Sequence, residues 1–93
     1  MVLIDSWFLE MTKEADKAFG KLDKPVKQRI INYFETRVLN DKNPRRLGKP
    51  LSGNLTGYWS YRVGDYRIIA DIQDKHFVIL VIDIDHRRQV YDS

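Results

Sequence analysis

Hydrophobic spacing changes character several times along the 93 residues, and each change marks an element. Residues 5 to 11 (Asp5-Ser6-Trp7-Phe8-Leu9-Glu10-Met11) alternate weakly and are rich in aromatic and aliphatic side chains, which predicts a first strand. Thr12 is then placed to cap a helix running to about Leu22. Glu14 suits the positive end of the helix dipole, and Ala15, Ala18, Phe19 and Leu22 recur at helical spacing as a core stripe. Lys13, Lys17 and Lys21 form a row on the other face, either solvated or touching a polyanion. Gly20 to Pro25 breaks this helix and begins another. Asp23 offers a cap, Pro25 suits the first turn, and Val26, Ile30, Phe34 and Val38 mark one face through about Leu39.

From Asn40 to Gly57 the periodicity disappears into prolines, glycines and basic residues, a long loop for so small a chain. Leu47, Leu51 and Leu55 are expected to tuck against the sheet. Strands follow at about 58 to 63, 66 to 73 and 76 to 84, joined by Gly64-Asp65 and Asp74-Lys75, so a three-stranded antiparallel meander is expected. Gly first in a two-residue link suits a type II′ turn, which sets Val63 opposite Tyr66 and Arg62 opposite Arg67. The run from Phe77 to Ile82 is apolar at both parities and reads as a strand covered on both faces or placed centrally. Trp59, Tyr61, Val63, Tyr66, Ile68 and Ala70 share the face toward the helices, and Tyr58, Ser60, Arg62, Arg67, Ile69 and Asp71 look the other way. The order β-α-α-β-β-β defines an α+β fold. A twisted antiparallel sheet carries a helical hairpin on one face and leaves the other open and basic.

Composition narrows the class. One domain spanning 1–93 is expected at this length, with 43% hydrophobic residues. With no cysteine, disulfides and thiol catalysis are excluded, and two histidines (His76 and His86) do not furnish a metal site, so neither a metal nor a cofactor is expected. The amino-terminal stretch has no basic leader and is interrupted by Asp5 and Glu10. A soluble cytoplasmic protein without a membrane segment is the expectation. The net charge is only +3, but residues 42 to 67 hold Lys42, Arg45, Arg46, Lys49, Arg62 and Arg67 against the single acid Asp65. A local field of this kind attracts a polyanion, although a solvated loop is an equally simple account of Lys42 to Lys49.

The chemistry concentrates in the last third. Like charges directly opposed across a ladder weaken it, so Arg62 beside Arg67 is explained either by a bound anion or by two solvated side chains splayed apart. An open sheet face with arginines, tyrosines and a histidine suits RNA, because guanidinium groups bind phosphate and aromatic rings stack on unpaired bases. Metal-free cleavage of RNA uses the neighbouring 2′-hydroxyl. It needs a base for that proton, cations for the charge developing on phosphorus, and an acid for the leaving oxygen. His86, Tyr91, Arg67 and Arg87 are sufficient for this, if the segment after the last strand converges on a ligand held by Arg62 and Arg67. Each also has a plain structural account: His86 as a turn residue, Tyr91 as a packed cap, Arg88 as a partner of Asp83 or Asp85.

Over nearly its whole length the chain resembles the RelE/ParE toxin superfamily, and within it the RelE-type mRNA interferases. The resemblance is carried by Phe8-Leu9-Glu10-Met11-Thr12-Lys13-Glu14-Ala15, Leu22-Asp23-Lys24-Pro25-Val26, Leu51-Ser52-Gly53-Asn54-Leu55, Tyr61-Arg62-Val63-Gly64-Asp65-Tyr66-Arg67 and His86-Arg87-Arg88-Gln89-Val90-Tyr91. It implies the toxin of a type II toxin–antitoxin pair, a ribosome-dependent endoribonuclease that cuts mRNA in the A site. The implied partners are the 70S ribosome, mRNA and a cognate antitoxin, in a higher-order toxin–antitoxin complex. By position, the resemblance gives Arg67, Arg87 and Tyr91 catalytic roles, with His86 or Tyr91 moving protons. Arg62, Arg45, Arg46, Lys49, Arg88, Tyr58 and Ser60 are left as RNA- or phosphate-binding positions. Where the best-known branch carries lysines on the second strand, this chain has Tyr58 and Ser60, which removes the expected base. The same fold also serves ParE-type toxins, which inhibit DNA gyrase by binding, and this second reading stays open on the sequence.

Overall fold

The computed structural model describes residues 7–86, and all structural statements concern these. Strand β1 (Phe8–Met11) leads into helix α1 (Lys13–Gly20) and, after a short turn, helix α2 (Lys24–Tyr33). Thr12 caps α1 as expected: its backbone is extended and its Oγ1 accepts the Ala15 N–H at 3.1 Å. Pro25 lies in the first turn of α2; Asp23 holds the capping position, but its side chain makes no capping bond. The helix then widens into a π-helical turn over Phe34–Val38, closed by the Leu39 N–H donating to the Phe34 carbonyl at 2.8 Å.

The loop contributes a strand that its composition did not announce, β2 (Lys49–Pro50), before β3 (Trp59–Val63), β4 (Tyr66–Gln73) and β5 (Val78–His86). The sheet runs β1-β5-β4-β3-β2. The meander β3-β4-β5 is antiparallel as expected, but β1 lies parallel to β5, from Phe8 beside Val78 to Met11 beside Val81, so the sheet is mixed. Apolar alternation carries no direction, and a parallel neighbour distant in sequence is invisible to it. No helix among the described residues is long and apolar enough to cross a membrane.

The first hairpin has the expected register: Val63 pairs with Tyr66 and Arg62 with Arg67. Gly64 sits at φ +59°, the left-handed conformation that the first central position of this turn requires, and a Cβ there would also come within 3.1 Å of Arg29 Nη1. The second link is longer than a two-residue turn. Asp74–His76 form a single 3₁₀ turn and Phe77 takes the left-handed position at φ 54°, so β5 begins at Val78. Asp74-Lys75 has no glycine to supply a positive φ, and the chain defers that bend to Phe77.

The helical hairpin packs on one sheet face. Tyr61, Phe34, Ile30, Ile68, Ile79, Val38 and Val81 are fully buried between the layers. Trp59 and Tyr66 pack against this core at its margin, so all six residues assigned to the helix side of β3 and β4 lie there. Tyr61 also anchors the long loop: its buried hydroxyl donates to the Pro44 carbonyl at 2.6 Å, and the Gly48 backbone comes so near its ring that a Cβ would approach to 3.2 Å. Burial raises the Tyr61 phenol well above its ordinary pKa, so it stays a donor. Leu51 and Leu55 are half-buried as expected, whereas Leu47 is exposed. Tyr61→Phe leaves the Pro44 carbonyl without its donor and is expected to cost about 1–3 kcal/mol, read as a lower melting temperature. An unchanged melt would show that the loop is held some other way.

Candidate functional site

The open sheet face follows from strand register, because paired residues in a ladder point to the same side. Lys49 pairs with Ser60, Ser60 with Ile69, Arg62 with Arg67, and Arg67 in turn with Asp85. Arg62, two positions along from Ser60, is exposed, while Arg67 is half-buried. The Nε of Arg67 is buried without a hydrogen-bond partner, and no other side-chain nitrogen or oxygen among the described residues is in that state. A donor withdrawn from water and left unpaired costs about 1–3 kcal/mol, a cost that an arriving oxyanion or water removes.

The face is not uniformly basic. Glu10 on β1, Asp71 on β4, and Asp83 and Asp85 on β5 join it, so that three of four acids lie on β5 and β1 while Lys49, Arg62 and Arg67 lie on β2, β3 and β4. The expectation of an open, basic face, with Asp71 on it, considered only β3 and β4, whereas much of the surface comes from strands whose register the sequence does not disclose. Asp85, opposite Arg67, has a pKa raised above the ordinary carboxylate value. Burial is the largest cause, Asp83 on the same strand adds to it through its charge and a hydrogen bond, and Arg67 opposes both.

His86 departs from the expected convergence. It pairs with Tyr66, its ring 5.0 Å from the tyrosine ring and nearly perpendicular to it, and lines a cleft with Glu14, Lys17, Ala18, Lys21, Leu22 and Ile84. This is the α1 side of the sheet, opposite to Arg62 and Arg67. The cause is a bulge: Ile69 pairs with Asp83 but Ala70 pairs with Val81, so Ile82 is an extra residue that exchanges odd and even positions along β5. Downstream of it, Asp83 and Asp85 share the Arg67 face, while Ile84 and His86 turn toward the helices.

The other basic candidates have divided roles. Arg45 is held by Asp74 through two hydrogen bonds of 2.9 and 2.6 Å, and its guanidinium lies 5.6 Å from the centre of the Trp59 ring. The pairing lowers the pKa of Asp74, with the Arg45 hydrogen bond as the main cause, and ties the long loop to the β4–β5 turn. Arg46 donates to Asp41 at 2.6 Å, and Asp41 is held below its ordinary pKa first by the Asn43 backbone N–H and then by Arg46. Both arginines therefore already carry carboxylates. Tyr58 is half-buried just before β3, with its backbone bonded to Leu51 and Leu55; Ser60 and Lys49 stand beside one another at the start of the Arg62 row. Arg87, Arg88 and Tyr91 lie outside the described residues. Asp83 and Asp85 are the members of the site that the sequence reading treated only as possible partners of Arg88. Their alternation, Asp83-x-Asp85, was the available signal, and the bulge concealed which face they occupy.

A mixed five-stranded sheet with a helical hairpin on one face and an arginine pair on the other agrees with the RelE/ParE toxin superfamily, to which the chain belongs by its sequence. The sequence matches the family described as the ParE toxin of the type II toxin–antitoxin system parDE over residues 9–91. It is 40% identical to Toxin RelG of Mycobacterium tuberculosis over 83 residues, covering 89% of this chain and 93% of the relative. It is 33% identical to Toxin RelE of the same organism, covering 91% and 86%. Among solved structures, the M. tuberculosis toxin–antitoxin complex RelBE2 is similar, with a TM-score of 0.78 and 28% identity over 88% of this chain and 92% of that one. The protein is thus a toxin of a type II toxin–antitoxin system.

Proposed function

We propose that this toxin is a ribosome-dependent endoribonuclease that cuts mRNA in the A site by attack of a 2′-hydroxyl on the adjacent phosphate, and so arrests translation. The observation that carries this reading is the buried, unpartnered Nε of Arg67, set opposite Arg62 on an open sheet face. Arg67 binds the scissile phosphate and stabilises the charge that develops on it, with Arg62, Ser60 and Lys49 along the substrate's backbone. The nucleophile belongs to the substrate, so the reaction needs no metal to generate one. Arg87 and Tyr91 complete the cation and proton-transfer set by resemblance. The protein acts in the cytoplasm on mRNA in the 70S ribosome. The similarity to RelBE2, solved as a toxin–antitoxin complex, supports a cognate antitoxin and a higher-order complex for this chain too.

One observation favours a second reading, a ParE-type toxin that inhibits DNA gyrase by binding. Tyr58, just before β3, and Ser60 on it occupy the positions where a base is expected, and four acids share the sheet face with the arginines. Induction of the protein in growing bacteria, followed by mapping of transcript ends, separates the two. Translation arrest with breaks in phase with codons is expected. An SOS response with intact mRNA would refute the nuclease and select the gyrase inhibitor.

A further inference from the structure

We infer that Asp85 is the general base of the proposed RNA cleavage, accepting the 2′-hydroxyl proton of a substrate whose phosphate is held by Arg67. This deepens the nuclease reading and rests on it. The starting point is geometric. Asp85 and Arg67 are direct cross-strand partners on the open face, and such partners have Cα atoms about 4.5–5.5 Å apart. A phosphate seated on the Arg67 guanidinium therefore places its neighbouring ribose within hydrogen-bond reach of the Asp85 carboxylate, as a general base requires. A separate observation marks this spot as a ligand site: the buried Arg67 Nε lacks an acceptor.

Among the described residues, the alternative bases are poorly placed. His86 lies on the α1 side of the sheet against Tyr66, and the positions expected to carry a base are Tyr58, just before β3, and Ser60. Among the described residues, the charged groups facing Asp85 are Arg67 from β4, with Arg62 of β3 beyond it, and Asp83 from its own strand; Asp71 of β4 and Glu10 of β1 lie farther along the same face. Burial and Asp83 raise the basicity of Asp85 while Arg67 restrains it. A carboxylate made more basic in this way is a better proton acceptor.

In the step itself, the 2′-oxygen forms a bond to phosphorus as its proton passes to an Asp85 oxygen, and the bond from phosphorus to the 5′-oxygen breaks. The 5′-oxygen takes a proton from water, and Asp85 returns its proton to solvent. A 2′,3′-cyclic phosphate and a 5′-hydroxyl result, with no oxidant or other co-reactant.

The test is cleavage of mRNA on programmed ribosomes by the full-length toxin as a function of pH. D85N is expected to bind ribosomes normally and to lose on the order of a hundredfold or more in cleavage rate, together with the acidic limb of the pH profile. D83N removes a like charge, lowers the Asp85 pKa and is expected to move that limb to lower pH while the plateau rate falls, because the base is weaker. The D83N shift also carries the test if D85N does not fold. An unchanged rate for folded D85N, or an acidic limb that stays in place in D83N, overturns the assignment while leaving the nuclease intact. Wild-type toxin that leaves ribosome-bound mRNA uncut refutes the nuclease reading, and this inference with it.

Discussion

Arg67→Ala is expected to restore growth to cells expressing the toxin and to lower mRNA cleavage on ribosomes by on the order of a hundredfold or more. That is the scale on which one preorganised charge-stabilising donor acts in a transition state. Arg67 is half-buried in a strand flanked on both sides, so its guanidinium is confined where a phosphate would be met, and its Nε has exchanged water for no partner. Truncation removes the unsatisfied Nε donor, a relief that offsets the lost attraction to Asp85, so the fold should not suffer. A melting temperature at or above that of the parent should accompany the loss of activity. Arg62→Ala is expected to do less, because Arg62 is exposed and its charge is screened by solvent. Full toxicity in folded Arg67→Ala would remove Arg67 from the reaction.

Phe34→Ala is expected to produce the largest loss of stability, about 3–5 kcal/mol. Phe34 is fully buried and stands edge-on to both Tyr61, with ring centres 5.2 Å apart, and Tyr33, at 5.5 Å. It also starts the π-helical turn from which α2 enters the loop. A cavity there would undermine Tyr61, whose hydroxyl holds the loop at Pro44. Since small domains are stable by only about 5–15 kcal/mol in total, the variant should unfold at markedly lower denaturant, with the shift read from equilibrium unfolding curves. A change below about 1 kcal/mol would mean that the surrounding core collapses into the space.

Much of the layer arrangement was legible because it follows from local rules. Thr12 announced a cap, Pro25 a first turn, and Gly64 a hairpin whose register followed from it. The inward faces of β3 and β4 then followed from alternation alone. What stayed hidden depended on partners remote in the chain. The direction of β1, the small strand β2 and the bond between Arg45 and Asp74 link segments that no local pattern connects. In the candidate site, the Arg62–Arg67 pair was visible for the same reason that the hairpin was. The placement of His86 and Asp85 was not, because the run Val78-Ile79-Leu80-Val81-Ile82 is apolar at every position and gives no sign of where one residue is left over.

That leftover residue, Ile82, works like a shift of reading frame for the end of the strand. Before it, odd-numbered side chains enter the core; after it, even-numbered ones do. Loss of Ile82 alone would straighten the ladder and leave every downstream side chain on its present face, whereas loss of Ile84 or Asp85 would bring the His86 imidazole beside Arg67 in place of a carboxylate. Roles assigned to residues of this strand by aligning it with relatives are therefore transferable only between chains that agree on the bulge, however well their letters match.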